Sequence, residues 1–335
     1  MTVVTDSHER AGAPAGSFAS GPGQAILVAM TATLTSPTFV GRTEELARLA
    51  AAADRAAAGA PTAVLIGGEA GVGKTRLVGE LVASAREAGA TVLVGGCVEL
   101  GGEGVPFAPL IEALRPFLRD LDEPQLAQLV PGPARAELAR LWTANQPELG
   151  DRLPSPSGGL GTGPGGFGLG SDQGRLFELL LVLLERLGAE RPAVLVVEDL
   201  HWADRSTRDL LAFLVRNLRH GRLLLVMTYR SDELHRRHPL RPFLAELDRG
   251  RRVERLELER FGRDEVAAQL AGIQGAPAPA ELTERIHARS DGNAFFVEEL
   301  AATAAAGADG ELPPSLRDTL LARIELLPEP TQQVL

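Results

Sequence analysis

Short apolar runs alternate along this chain with longer stretches in which apolar positions recur every three or four residues. The runs at Thr62–Gly67, Thr91–Cys97, Ala193–Val197 and Leu223–Thr228 have the length and continuity of strands buried on both faces. Val253–Leu258 alternates apolar with polar residues and predicts a fifth strand, at an edge. Between these runs, helical spacing predicts helices from Thr43, as cap with acids in its first turn, to Ala58, and over Lys74–Ala88, Gln173–Leu187 and Ser206–Leu218. Two or three further helices fall between Phe107 and Trp142, broken at Pro124, Pro131 and Pro133. Alternating strands and helices imply an α/β fold built on a doubly wound, parallel, five-stranded sheet, with its ligand at the carboxyl ends of the strands.

After Phe261 the pattern is purely helical, over Arg263–Ala271, Ala280–Ala288, Ala294–Ala305 and Ser315–Leu326. The chain therefore divides into a disordered tail (1–37, rich in Ala, Gly, Ser, Thr and Pro), an α/β domain (38–260), a helical domain (261–311) and the start of a further helical or winged-helix domain (312–335). Residues 143–172, dense in Gly, Pro and Ser, read as a surface insertion in the α/β domain, because its pattern resumes afterwards. The last residues, LPEPTQQVL, stop within an apolar pattern, so a longer polypeptide is expected.

Composition narrows the partners. Hydrophobic residues make up 44% and charged ones 23%, as in globular chains, and the 4% aromatic share leaves a core of Ala, Leu and Val. A net charge of −10 argues against a chain that binds nucleic acid over its whole surface. Arg205 to Arg263 departs from that average, with fifteen arginines against eight acids, and reads as solvated helix faces, with a basic face for a partner or for phosphate as the alternative. Cys97 is the single cysteine, which excludes an internal disulfide and a multi-cysteine zinc site and reads as a buried thiol at a strand end. No run approaches the roughly 18 apolar residues of a membrane span, and the N-terminus has neither the basic start nor the cleavage site of a signal peptide, so a cytoplasmic protein without a membrane partner is expected.

One basic residue stands apart. Lys74 is the single lysine among 34 basic positions, and it completes G-x-x-x-x-G-K-[ST] within GGEAGVGKT. The pattern falls between a predicted strand and a predicted helix, as a phosphate loop requires. A compact ammonium reaches between β- and γ-phosphates where a planar guanidinium does not fit, while the loop amides and the helix N-terminus cradle the rest. Gly68, Glu69, Ala70, Gly71, Val72, Gly73, Lys74, Thr75 and Arg76 are thus the candidate phosphate-binding residues, for ATP or ADP with Mg²⁺ held by the Thr75 hydroxyl.

A triphosphate site also needs an acid at the end of a neighbouring buried strand. VLVVEDLHWAD supplies Glu198 and Asp199 directly after four apolar residues. The first such position ordinarily carries the aspartate that holds Mg²⁺, and the second an acid that orients the attacking water. Here the longer Glu198 stands first, and either assignment fits. Arg230, two residues beyond the strand Leu223–Thr228, stands where a γ-phosphate sensor would, and an ordinary surface arginine is the equal alternative. His201 and Trp202 read as structural.

FVGRTEEL, GEAGVGKT, VVEDLHWAD, TYR, RSDGNAFFVEEL and LPPSLRDTLLARI, in that order from Phe39 to Ile324, resemble the ATPase region of the large ATP-binding LuxR-type transcriptional regulators. These belong to the signal-transduction ATPases with numerous domains, a branch of the AAA-like P-loop fold. The resemblance implies that Val40, Gly41 and Arg42 lie against the adenine, and that the helical domain closes as a lid through a Gly-x-Pro turn. This chain reads Gly292-Asn293-Ala294 there, and loss of the proline's fixed φ is expected to loosen the turn. The implied function is a slow, ATP/ADP-dependent regulatory switch that self-associates with ATP bound. DNA would be reached only through a C-terminal domain beyond Leu335. The same module fits a remodelling or loading ATPase, or a sensor fused to a cyclase or kinase.

Overall fold

The computed structural model describes residues 36, 38–99, 105–130, 171–249, 253–305 and 317. The expectations for the tail before Ser36, most of the 143–172 insertion and the helix Ser315–Leu326 lie outside them. The described elements follow in the order α1 (Thr43–Ala57), β1 (Thr62–Gly68), α2 (Lys74–Glu87), β2 (Thr91–Gly96), α3 (Ala108–Asp120), α4 (Glu123–Leu129), α5 (Ser171–Glu190), β3 (Ala193–Glu198), α6 (Arg205–Asn217), β4 (Leu223–Thr228), α7 (Leu240–Arg249), β5 (Val253–Leu258), α8 (Arg263–Gln274), α9 (Ala280–Ser290) and α10 (Ala294–Ala305). Among the described residues no helix is long and apolar enough to cross a membrane.

The strands form one parallel sheet in the order β2-β3-β4-β1-β5, so β1 lies inside the sheet and β5 at its edge. Burial on both faces explains the continuous apolar runs. Val64, Ile66, Val194, Val196, Leu224 and Val226 pack against α1 and α2 through Leu49, Leu77 and Leu81. Their sequence neighbours Leu65, Leu195, Val197, Leu225 and Met227 face the opposite layer, with Leu110 of α3, Leu180 and Leu184 of α5, Leu211 of α6 and Phe243 of α7. Each such side chain contributes roughly 1.5–3 kcal/mol on burial, which fixes register firmly in a sheet covered on both sides. The register pairs Ile66 with Thr228 and Val197 with Met227, so the ends of β1, β3 and β4 come level at one rim.

Four local features depart from the sequence reading. Thr43 is the first helical residue of α1 and not its cap; the cap position is Arg42, in left-handed conformation at φ 59° and without a side-chain bond to the helix amides. Helix α5 starts at Ser171, so the insertion ends two residues earlier than expected. Glu198 is the last residue of β3 rather than the first beyond it. Helix α7 went unread: Leu240, Phe243, Leu244 and Leu247 have helical spacing and are buried, but Pro242 stands in the first turn and breaks the apparent pattern. Helices α8, α9 and α10 enclose a separate small core of Phe261, Val266, Leu270, Ile286, Val297 and Leu300.

Candidate functional site

The chain leaves β1 at Gly68, turns through Gly71 (φ 80°) and Gly73 (φ 104°), and enters α2 at Lys74. No side chain caps α2, so its first amides remain available to an anion beside the positive end of the helix dipole. Lys74 is 7% exposed, and its Nζ donates to the Gly68 and Glu69 carbonyls, each at 2.8 Å. Burial lowers its pKa, with the charge on Arg230 adding to that and Asp199, Asp232 and Glu233 opposing it. Asp232 reaches the loop as well, accepting from the Ala70 amide at 3.3 Å.

Glu198 and Asp199 follow from the end of β3. Burial, first of all, raises the pKa of Glu198; a hydrogen bond with the Thr75 side chain opposes it, and the charges of Asp199 and Glu112 add to it. Glu198 Oε1 is buried with no hydrogen-bond partner. Asp199 holds a left-handed backbone at φ 57°, ψ 48°, fixed by its N–H donating to Thr228 Oγ1 at 3.0 Å. Burial raises its pKa too, opposed by Arg230 and Lys74. Among the described residues no group of three His, Cys, Asp or Glu side chains forms a metal cage. Mg²⁺ needs none: it takes one or two carboxylates, with phosphate oxygens and waters completing the octahedron. The hard oxygens of Thr75, Glu198 and Asp199, with one carboxylate oxygen lacking any partner, fit that ion.

Arg230 is held from three sides. Its Nη1 pairs with Glu233 Oε1 at 2.6 Å, its guanidinium lies 4.9 Å from the centre of the Trp202 ring, and its N–H donates to His201 Nδ1 at 3.4 Å. The His201 side chain is fully enclosed, with Asp199 Oδ1 at 3.9 Å and Glu233 Oε2 at 3.4 Å. Those carboxylates do not hold a proton on it. Burial first, and then the cations Arg230 and Lys74, lower its pKa to about 3, so it is neutral, with Nδ1 as acceptor.

Three segments close over the loop. From the N-terminal side, Arg42 is buried; it donates to the Val72 carbonyl at 3.3 Å and to the Glu259 carbonyl, pairs with Glu45 at 3.2 Å, and lies 4.8 Å from the centre of the Phe261 ring. From the helical side, the Gly292-Asn293-Ala294 turn is not loose. Asn293, 1% exposed, donates from Nδ2 to the Ala70 carbonyl at 2.9 Å, and the Phe295 amide donates to the Gly71 carbonyl at 3.0 Å. One side-chain bond and one backbone bond replace the constraint a proline ring would have given. Arg260 adds an ion pair to Glu69 at 2.7 Å and one to Asp291. A Cβ on Gly71 would stand 2.7 Å from Asn293 Oδ1, so this approach requires glycine.

These elements enclose a cavity of about 280 Å³. Of the sequence-derived residues, Val40, Arg42, Ala70, Gly71, Val72, Gly73, Lys74, Thr75, Arg76, Asp199 and Arg230 line it; Gly41, Gly68, Glu69 and Glu198 do not. The lid adds Phe261, Gln269, Ala294, Phe295 and Glu298. Sequence reasoning passed over Asp232, Glu233, Gln269 and Glu298, and named Asn293 only as part of the lid turn. The acids follow Arg230 directly in RSDE, the one nearby signal; Gln269 and Glu298 become visible only when the lid is placed.

The model of the AAA ATPase domain matches residues 38–227. An uncharacterized protein of Rhizobium meliloti (strain 1021) is 30% identical over 278 residues, 78% of this chain. The chain spans about a quarter of that relative's length (24%). Among solved structures, a signal transduction ATPase with numerous domains bearing a tetratricopeptide repeat sensor, from Pyrococcus horikoshii, aligns over 90% of this chain and 35% of its own, with TM-score 0.47 and 15% identity. The Aeropyrum pernix ORC1 protein in complex with DNA aligns over 90% and 72%, with TM-score 0.46 and 19% identity.

Proposed function

We propose a nucleotide-dependent switch, on the premise that this chain belongs to the AAA ATPase domain family. ATP and ADP occupy the cavity, with phosphates on the amides of Gly71, Gly73, Lys74 and Thr75. Lys74 exchanges its two loop carbonyls for phosphate oxygens. Mg²⁺, when bound, neutralises phosphate charge and is held by Thr75 together with the neighbouring Glu198. Asp199, which faces the cavity beside Lys74 and Arg230, orients water. Arg230 leaves Glu233 for the γ-phosphate and returns when that group is lost.

One observation carries the switch reading: the lid is bonded to the phosphate loop itself, through Asn293 to Ala70 and Phe295 to Gly71. Whatever moves the loop backbone therefore moves the lid. ADP keeps these bonds and the closed lid; ATP strains them and exposes surfaces for self-association. Hydrolysis is slow and resets the state. The resemblance to LuxR-type regulators supplies the setting, with DNA contacted by another domain of a longer polypeptide.

The test is Lys74→Ala. Calorimetry should show ATP and ADP binding to the native chain and neither to the variant; tight binding by the variant sinks the site. Turnover well above one per minute, stimulated by DNA or a protein, would instead favour a productive remodelling ATPase.

A further inference from the structure

We infer that Glu298, positioned by Gln269, is the group that reads the base, accepting from the exocyclic amine of a 6-aminopurine. The inference rests on the nucleotide reading above and names what the other end of the same cavity selects. Lys74, Thr75, Asp199 and Arg230 form one polar group of lining residues; the lid's polar lining is Gln269 and Glu298, beside the apolar surfaces of Phe39, Val40 and Phe295.

The orientation of Gln269 follows from its partners. Its side-chain nitrogen has two acceptors, the Ala294 carbonyl at 3.0 Å and Glu298 Oε1 at 3.3 Å, so both amide hydrogens are used there. Its Oε1 is consequently the end without a partner, on a side chain that is 4% exposed. Glu298 Oε1 also accepts from the Ser36 amide at 3.1 Å, and its second oxygen takes no hydrogen bond among the described residues. The lid thus offers the base acceptors, while the donor-bearing side chains Ser36, Thr38, Arg42 and Arg76 line the cavity from the N-terminal segment and α2. Gln269 Oε1 is enclosed in the protein, and Gln269 acts by holding Glu298. An amino group brings a hydrogen to the unbonded carboxylate oxygen of Glu298, whereas a carbonyl at the same ring position would meet that carboxylate. Adenine carries the amine there; hypoxanthine and guanine carry the carbonyl.

The experiment is equilibrium binding of ATP, ITP and GTP to the full chain and to Lys74→Ala, Glu298→Ala and Glu298→Gln variants. The native chain should prefer ATP over ITP and over GTP by about 10- to 100-fold, the size of a hydrogen bond to a charged group. Glu298→Ala should bring the ratio near one by lowering ATP affinity to that of ITP and GTP. Glu298→Gln, of unchanged shape and with a donor to offer, should favour ITP over ATP and guards against simple misfolding of the alanine variant. Equal, Lys74-dependent binding of all three by the native chain overturns this inference alone. GTP preferred over ATP overturns it too. Absence of Lys74-dependent binding for every triphosphate overturns the nucleotide reading beneath it.

Discussion

Asn293 Nδ2 donates to the Ala70 carbonyl at 2.9 Å, joining residues 223 positions apart and tying the lid to the phosphate loop. The same side chain accepts from the Phe296 amide at 3.4 Å, which makes it the N-cap of α10. Asn293→Ala removes both and leaves a buried carbonyl unmet, a loss of about 1–3 kcal/mol. Hydrogen exchange measured by mass spectrometry should quicken by roughly 5- to 150-fold across residues 294–305, and less in the sheet.

Ala294→Pro should act in the opposite direction. Residue 294 opens α10, where a helix tolerates proline, and its amide donates no backbone bond among the described residues. The ring would restrict the unfolded chain, and a residue before proline favours the extended conformation that an N-cap takes. A gain of about 0.4–1 kcal/mol is expected, seen as a rise in Tm of roughly 1–4 °C in calorimetry.

The strands and the phosphate loop were legible because burial on both faces leaves continuous apolar runs, and because the loop needs glycines at fixed places. β4 and β5 match their predicted bounds, and α10 its own. Helix α7 was obscured by one proline in its first turn. The lid residues were hidden for a different reason. Asn293 and Glu298 meet the loop and the N-terminal segment across more than 200 residues of chain, and Gln269 meets Glu298 across 29; of these only the turn at Asn293 is signalled by the sequence. The missing proline of the turn illustrates the same limit: its loss predicts a loose turn, yet a capping asparagine with a distant acceptor holds it.

Trp202 should report the state of Arg230. The guanidinium stands 4.9 Å from the indole centre, a cation–π contact that a γ-phosphate would break by drawing the arginine away. In a Trp142→Phe background, ATP or a non-hydrolysable analogue should change Trp202 emission and ADP should not. Arg230→Ala should abolish the response and weaken ATP roughly tenfold or more with ADP little changed, as expected when one charged contact is lost. Equal responses to ATP and ADP would exclude Arg230 as the sensor.

His201 sets a pH dependence whose sign is fixed by its environment. Its pKa falls from the ordinary 6.5 to about 3 in the folded chain, chiefly through burial, so between those values the unfolded state binds a proton that the native state refuses. Stability associated with this residue is therefore full above about pH 6.5 and is lost as pH falls towards 3, at up to about 1.4 kcal/mol per pH unit. Glu198 and Asp199 act oppositely, because burial raises their pKa values and the native state takes up their protons first. Denaturant unfolding between pH 7 and 5, run on the native chain beside His201→Gln, separates the two. The native chain should lose stability over that interval, and His201→Gln should flatten the slope; an unchanged slope would show that His201 is protonated in place, paired with Asp199 or Glu233.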